Sequence, residues 1–180
     1  MLSVRWHGRG GQGAFTAAKL LGAAYTLDSG AYALAFPSFG PERRGAPVRA
    51  FTKLDTKPVA DRSEIKTCDY IVILDDTLYD PTFLTELHDG GRVIVNSKRD
   101  FGDERVLSLD AQGIAQEELG SPMTNTAMLG ALLGVWGKLT EEQALEAVAG
   151  CLSPKIAHKN RGVILRSIAA AKTAKEGARV

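Results

Sequence analysis

The run Val4-Arg5-Trp6-His7-Gly8-Arg9-Gly10-Gly11-Gln12-Gly13 constrains this chain more than any other segment. A short β-prone stretch passes into a glycine-rich turn, and an apolar, Ala/Leu-rich helix follows from about Ala14. Strand, glycine turn and helix is how an α/β domain presents backbone N–H groups to a phosphate or another anion. Gly8, Gly10 and Gly13 meet the G-x-G-x-x-G spacing, with Gly11 as an extra. The same spacing also serves a plain tight connection, so the pattern leaves both readings open.

Two nucleotide readings lose ground on nearby residues. A dinucleotide fold places a carboxylate at the end of its second strand to hold a ribose hydroxyl. The second strand expected here, Ala31–Phe36, ends in Pro37-Ser38; Asp28 precedes it and Glu42 lies well into the next loop. That weakens a free-standing NAD(P)-dependent oxidoreductase. A Walker-type P-loop fails because Ala14 and Phe15 follow Gly13, where Lys and Ser/Thr are required.

The alternation of elements predicts a three-layer α/β/α domain with a mainly parallel, Rossmann-like sheet and a helical C-terminal third. Strands are expected at Leu2–Trp6, Ala31–Phe36, Val48–Lys53, Tyr70–Leu74, Arg92–Val95 and Val106–Leu109. Helices are expected over Thr16–Leu27, from Asp80-Pro81 to about His88, and over Asp110–Glu118, Asn125–Trp136, Thr140–Cys151 and Lys159–Lys175. Gly90-Gly91 reads as the stop of the second of these, and Thr140 with Gln143 as a capping box. No repeat or linker divides the chain, so residues 1–180 read as one domain.

Composition narrows the function classes. With 44% apolar and 24% charged residues and a formal charge of +1, nothing draws the chain globally to nucleic acid or an anionic membrane. No signal-peptide pattern opens it, and the apolar run Ala127–Trp136 is too short to span a bilayer, so a cytoplasmic protein is expected. Cys68 and Cys151 lie far apart, without a C-x-x-C pair, which argues against iron–sulfur ligation by this chain and reads as two buried thiols. His7, His88 and His158 have no metal-ligand spacing. His88 and His158 read as surface residues; His7, ending the first strand, would either bond a ligand phosphate or brace the turn. Asp75 and Asp76 follow the central strand, where α/β proteins place functional groups, or else cap the next turn. No catalytic set emerges from spacing, and no residue is assigned a catalytic or metal-binding role.

The segment Ala35–Val48 combines Pro37, Pro41 and Pro47 with Gly40, Gly45, Phe36, Phe39 and the Arg43-Arg44 pair. Aromatic residues and arginine beside prolines mark an interface more than a solvated loop. His7-Gly8-Arg9-Gly10-Gly11-Gln12-Gly13, then Ala35-Phe36-Pro37 and Phe39-Gly40 leading to Glu42-Arg43-Arg44-Gly45-Ala46-Pro47-Val48, with Asn125-Thr126-Ala127-Met128-Leu129-Gly130 and Lys159-Asn160 later, together resemble the gamma subunit of 2-oxoacid:ferredoxin oxidoreductases. The match is nearest to the pyruvate and branched-chain oxoacid type and runs over nearly the whole chain.

That resemblance implies a part of a multi-subunit enzyme, inactive alone, that turns a 2-oxoacid, coenzyme A and oxidised ferredoxin into acyl-CoA, carbon dioxide and reduced ferredoxin. Thiamine diphosphate and Mg would sit on thiamine-binding alpha and beta subunits, and iron–sulfur clusters on a ferredoxin-like delta subunit. This chain would contribute Gly8, Arg9, Gly10, Gly11, Gln12 and Gly13 to coenzyme A phosphates, and Phe39, Glu42, Arg43 and Arg44 to the subunit interface. A ligand-free structural subunit is the remaining alternative.

Overall fold

The computed structural model describes residues 1–38 and 44–177. Six strands form one sheet: β1 (Leu2–Arg9), β2 (Tyr32–Pro37), β3 (Pro47–Asp55), β4 (Cys68–Ile73), β5 (Leu87–Asn96) and β6 (Val106–Leu109), in the spatial order β2-β3-β1-β4-β5-β6. The strands β1, β4, β5 and β6 run parallel, and β3 is antiparallel to both β1 and β2. The helices are α1 (Ala14–Tyr25), α2 (Ala111–Leu119), α3 (Asn125–Trp136), α4 (Glu141–Cys151) and α5 (Pro154–Gly177). The mostly parallel α/β sheet and helical C-terminal third match the expectation from sequence.

Alternation along β1 sorts its side chains to opposite faces. Val4 and Trp6 join Ala50, Leu54, Val72, Leu74 and Ile94 in the core beneath the five helices. Trp6 donates its indole N–H to Thr52, whose hydroxyl donates to the Ala18 carbonyl of α1, both at 3.0 Å. The opposite face carries Phe51, Ile71, Ile73, Val93 and Val95. No helix covers it among the described residues. Two 3-10 turns, Asp76–Leu78 and Pro81–Glu86, and the irregular segment 56–67 lie over it instead, so this outer layer is thin. Buried cations hold that layer down. Arg5 pairs with Glu86 and donates to the carbonyls of Ile65 and Lys66, while Lys53 binds the Asp61 carboxylate at 2.6 Å.

On the helical side α3 is apolar all round and buried at ten of its twelve residues, the pattern of an interior helix. Gly130 and Gly134 let α5 approach it closely: an added Cβ would stand 2.8 Å from the Ile164 carbonyl oxygen at the first and 2.5 Å from that of Ile168 at the second. Buried Asn160 of α5 accepts the Thr126 hydroxyl of α3, which joins two of the sequence blocks singled out above. The Thr140–Gln143 capping box forms as expected.

Four expectations are corrected. The segment from Asp80 to His88 is not an α-helix: Asp80 caps a single 3-10 turn at Pro81–Glu86, and the chain enters β5 at Leu87. Pairing with β4 overrides the local helix signal there. Gly90-Gly91 does not stop a helix but sits in a bulge, where β5 carries three extra residues between the pairs Cys68↔Leu87 and Tyr70↔Arg92. The last helix begins at Pro154, a favoured first-turn residue, and not at Lys159. Cys68 is buried, with its thiol pushed up to about 12 by that burial, but Cys151 is exposed at the end of α4.

Candidate functional site

The topology brings three separate segments to the carboxyl ends of the parallel strands. Because β3 is inserted between β1 and β2, the connection before it returns beside the glycine turn. The Gly10 N–H donates to the Ala46 carbonyl at 2.8 Å, and the Gly45 N–H donates to the Gly10 carbonyl at 3.1 Å. Arg44 forms an isolated bridge with Gly10, and its side chain is exposed. Phe39, Glu42 and Arg43, the other expected interface residues, lie outside the described residues. The end of β4 is the third segment: the Leu74 N–H donates to the His7 carbonyl at 2.8 Å, and Asp75 follows.

The glycines have distinct jobs in this turn. Gly13 caps α1 with φ +81°, a conformation L side chains resist, and Asn125 presses against it; an added Cβ would meet the Asn125 amide nitrogen at 2.6 Å. Gly8 leaves room for Ala14, 3.3 Å from where its Cβ would be. No side chain caps α1, and no acidic residue occupies its first turn. The positive end of the helix dipole is thus not offset by a side chain of the helix's own first turn.

Arg9 is tied to protein acceptors. Its Nε donates to Asp75 at 3.1 Å, Nη1 to the Gly45 carbonyl at 3.1 Å and Nη2 to the Thr77 hydroxyl at 2.7 Å. Gln12 folds back over the turn, accepting the Arg9 N–H at 2.7 Å and donating to Asp75 at 3.1 Å. Burial pushes the Asp75 carboxyl up, but hydrogen bonds from Thr77 and Gln12 and the Arg9 charge outweigh it and leave it below its ordinary value. Asp75 also caps the 3-10 turn through the Thr77 N–H, which is the capping role expected from sequence.

Beside this cluster a polar cleft of about 530 Å³ opens between Gln12, Asp75-Asp76, the end of β5 and the start of α2. Asn96 staples its floor, donating to the Leu74 carbonyl at 3.0 Å and accepting the Gln112 N–H at 3.1 Å. Its cations are paired, Arg99 with Asp76 at 3.3 Å and Lys98 with Asp110 at 3.2 Å. Among the described residues, no group of three His, Cys, Asp or Glu side chains could hold a metal ion. No described helix is long and apolar enough to cross a membrane.

His7 faces away from this cluster. Its ring packs on Phe83 with centroids 4.6 Å apart, on the thinly covered side of the sheet. Burial, with Arg5 and Arg49 nearby, pushes its pKa down to about 3, so it is uncharged at neutral pH. Neither role expected of its side chain is realised in this arrangement. His88 and His158 are exposed, as expected. Asn125 opens one of the sequence blocks singled out above, but its contact with Gly13 comes from tertiary packing; for Asn96 a strand-end position is the only sequence signal.

Comparison with known proteins agrees with this architecture. Residues 3–176 match the pyruvate ferredoxin/flavodoxin oxidoreductase family. The chain is 46% identical over 163 residues to pyruvate synthase subunit PorC of Methanothermobacter thermautotrophicus, covering 89% of this chain and 90% of the relative. It is 45% identical over 172 residues to the pyruvate/ketoisovalerate oxidoreductases common subunit gamma of Thermococcus kodakarensis, covering 89% and 91%. The crystal structure of pyruvate oxidoreductase subunit PORC from Thermotoga maritima superposes with a TM-score of 0.80 at 32% identity, over 94% of this chain and 96% of that one. The chain therefore belongs to the pyruvate ferredoxin/flavodoxin oxidoreductase family, as one of its gamma subunits.

Proposed function

We propose that this gamma subunit supplies the coenzyme A phosphate site of a cytoplasmic enzyme that converts pyruvate, coenzyme A and oxidised ferredoxin to acetyl-CoA, carbon dioxide and reduced ferredoxin. The observation that carries the reading is the uncapped N-terminus of α1, opened by the αL glycine Gly13 and flanked by Gly10 and Gly11. Backbone donors and the helix dipole there suit a phosphate. Thiamine diphosphate and Mg belong to alpha and beta subunits, and iron–sulfur clusters to a ferredoxin-like delta subunit. The two cysteines here fit that division, one buried in the sheet and the other exposed on α4. The 36–48 loop docks on the thiamine-binding subunits, with Phe39, Glu42, Arg43 and Arg44 as its contacts. The Thermococcus relative is common to pyruvate and ketoisovalerate oxidoreductases, which supports placing oxoacid choice on other subunits.

Gly13→Ala in the reconstituted enzyme tests the reading. An alanine held at φ +81° costs about 1–2 kcal/mol and collides with Asn125, which displaces the start of α1. The KM for coenzyme A should rise while the KM for pyruvate holds. Unchanged kinetics toward coenzyme A in an assembled Gly13→Ala enzyme would refute the phosphate site.

A further inference from the structure

We infer that Asp75 is a positioning residue of the glycine turn: it holds Arg9 and Gln12, and through them keeps the turn in the shape that opens the N-terminus of α1 to the coenzyme phosphates. The inference rests on the coenzyme A reading above. Its basis is how completely this carboxylate is spoken for. Oδ2 accepts Arg9 Nε and Gln12 Nε2, each at 3.1 Å, and Oδ1 accepts the Thr77 N–H at 3.1 Å and the Thr77 hydroxyl at 2.5 Å. A carboxylate has about four lone-pair sites, and four donors occupy them. Nothing is left over for proton abstraction or for a ligand.

Three of the four donors lead back to the turn; the bond from the Thr77 N–H instead caps the 3-10 turn. Gln12 bonds Asp75 with one end of its amide and closes the turn on the Arg9 N–H with the other. Arg9 bonds Asp75 and Thr77 on one side and the Gly45 carbonyl on the other. The glycine turn, the end of β4 and residues 44–46 are thereby one hydrogen-bonded unit with Asp75 at its centre. A displacement of residues 44–46 is felt at Gly10 through two backbone bonds and at Arg9 through a third.

The sign of one substitution separates this role from simple electrostatics. A carboxylate beside a phosphate site repels its ligand, so on charge alone Asp75→Asn tightens coenzyme A. A positioning role predicts the opposite, because the asparagine no longer holds Arg9 and Gln12 together. In the reconstituted enzyme, Asp75→Asn and Gln12→Leu should each raise the KM for coenzyme A roughly tenfold, within the range of coupled hydrogen-bonded neighbours. The KM for the 2-oxoacid should stay, and kcat should fall far less than the KM for coenzyme A rises. The double variant should be no worse than the more impaired single variant, since both cut one connection. A lowered or unchanged KM for coenzyme A in Asp75→Asn overturns the inference, as does full additivity in the double variant. If Asp75→Asn fails to assemble, Gln12→Leu decides alone, and an unchanged KM there overturns it. Gly13→Ala in the same series distinguishes the two levels: if it alone raises the KM, the coenzyme reading stands and Asp75 loses its role; if none of the variants does, both fall.

Discussion

The α3–α5 contact makes a quantitative demand on Gly134. A Cβ added there would lie 2.5 Å from the Ile168 carbonyl oxygen and 3.0 Å from the Ala171 Cβ. The oxygen belongs to the helix backbone and cannot rotate away, so α5 must retreat by about 1 Å, and a gap of that size forfeits a quarter to a half of each dispersion contact along the seam. Overpacking of this kind costs about 1–3 kcal/mol. Alanine recovers about 1 kcal/mol of helix preference over glycine. With backbone as the obstacle the larger cost applies, leaving Gly134→Ala destabilised by about 1–2 kcal/mol. At roughly 2–4 °C per kcal/mol for a chain of this length, Tm falls by about 2–8 °C. Gly150→Ala is the control: Gly150 is helical and exposed, with nothing within 4 Å of an added Cβ, so only the propensity gain remains and Tm should hold or rise. Thermal unfolding of both purified variants, followed by circular dichroism, reads the contrast. A Gly134→Ala protein as stable as the Gly150→Ala protein would refute close packing at this seam.

Three other outcomes follow from the geometry. His7 is buried uncharged with its pKa at about 3, so the unfolded chain binds the extra proton below about 6.5 and stability declines as pH falls from there. The slope is at most about 1.4 kcal/mol per pH unit, and His7→Phe, which keeps the contact with Phe83, should be flatter than the parent in urea titrations between about pH 4.5 and 6.5; parallel curves would contradict the assignment. Glu86→Gln removes the carboxylate from the Arg5 guanidinium, buried at 4% exposure, and leaves it the Ile65 and Lys66 carbonyls and the Phe83 ring; because Glu86 is itself 37% exposed, a loss of about 1–2 kcal/mol in chemical denaturation is expected, and no loss would show that Arg5 does not anchor the thin layer. Arg44→Ala should leave the isolated chain's stability within about 0.5 kcal/mol, as for an exposed side chain, yet reduce co-purification with the thiamine-binding subunits proposed above as its partners; undiminished co-purification would remove Arg44 from the proposed interface.

What the amino-acid sequence determined by itself is local. Gly8 to Gly13 between a β-prone run and an apolar helix specify a strand–turn–helix, because glycine alone tolerates φ +81° at Gly13 and the helix period begins at the next residue. The capping box at Thr140 and Gln143 is legible for the same reason: both bonds span three residues. The family resemblance was legible too, carried by short blocks in a fixed order. The tertiary structure alone decided what depends on distant pairing. Strand order placed β3 between β2 and β1, and so put Gly45 and Ala46 against Gly10. It also brought Asp75 under Arg9 from 66 residues away, so that the side chain expected at a phosphate is tied to Asp75, Thr77 and the Gly45 carbonyl. The turn at Pro81–Glu86 and the bulge at Gly90-Gly91 read as a helix and its stop because local propensity is blind to the β4 partner that claims Leu87 onward. The burial of His7 was equally out of reach, since which face of β1 is covered, and by what, is fixed by the segments 56–67 and 81–86 and not by β1 itself.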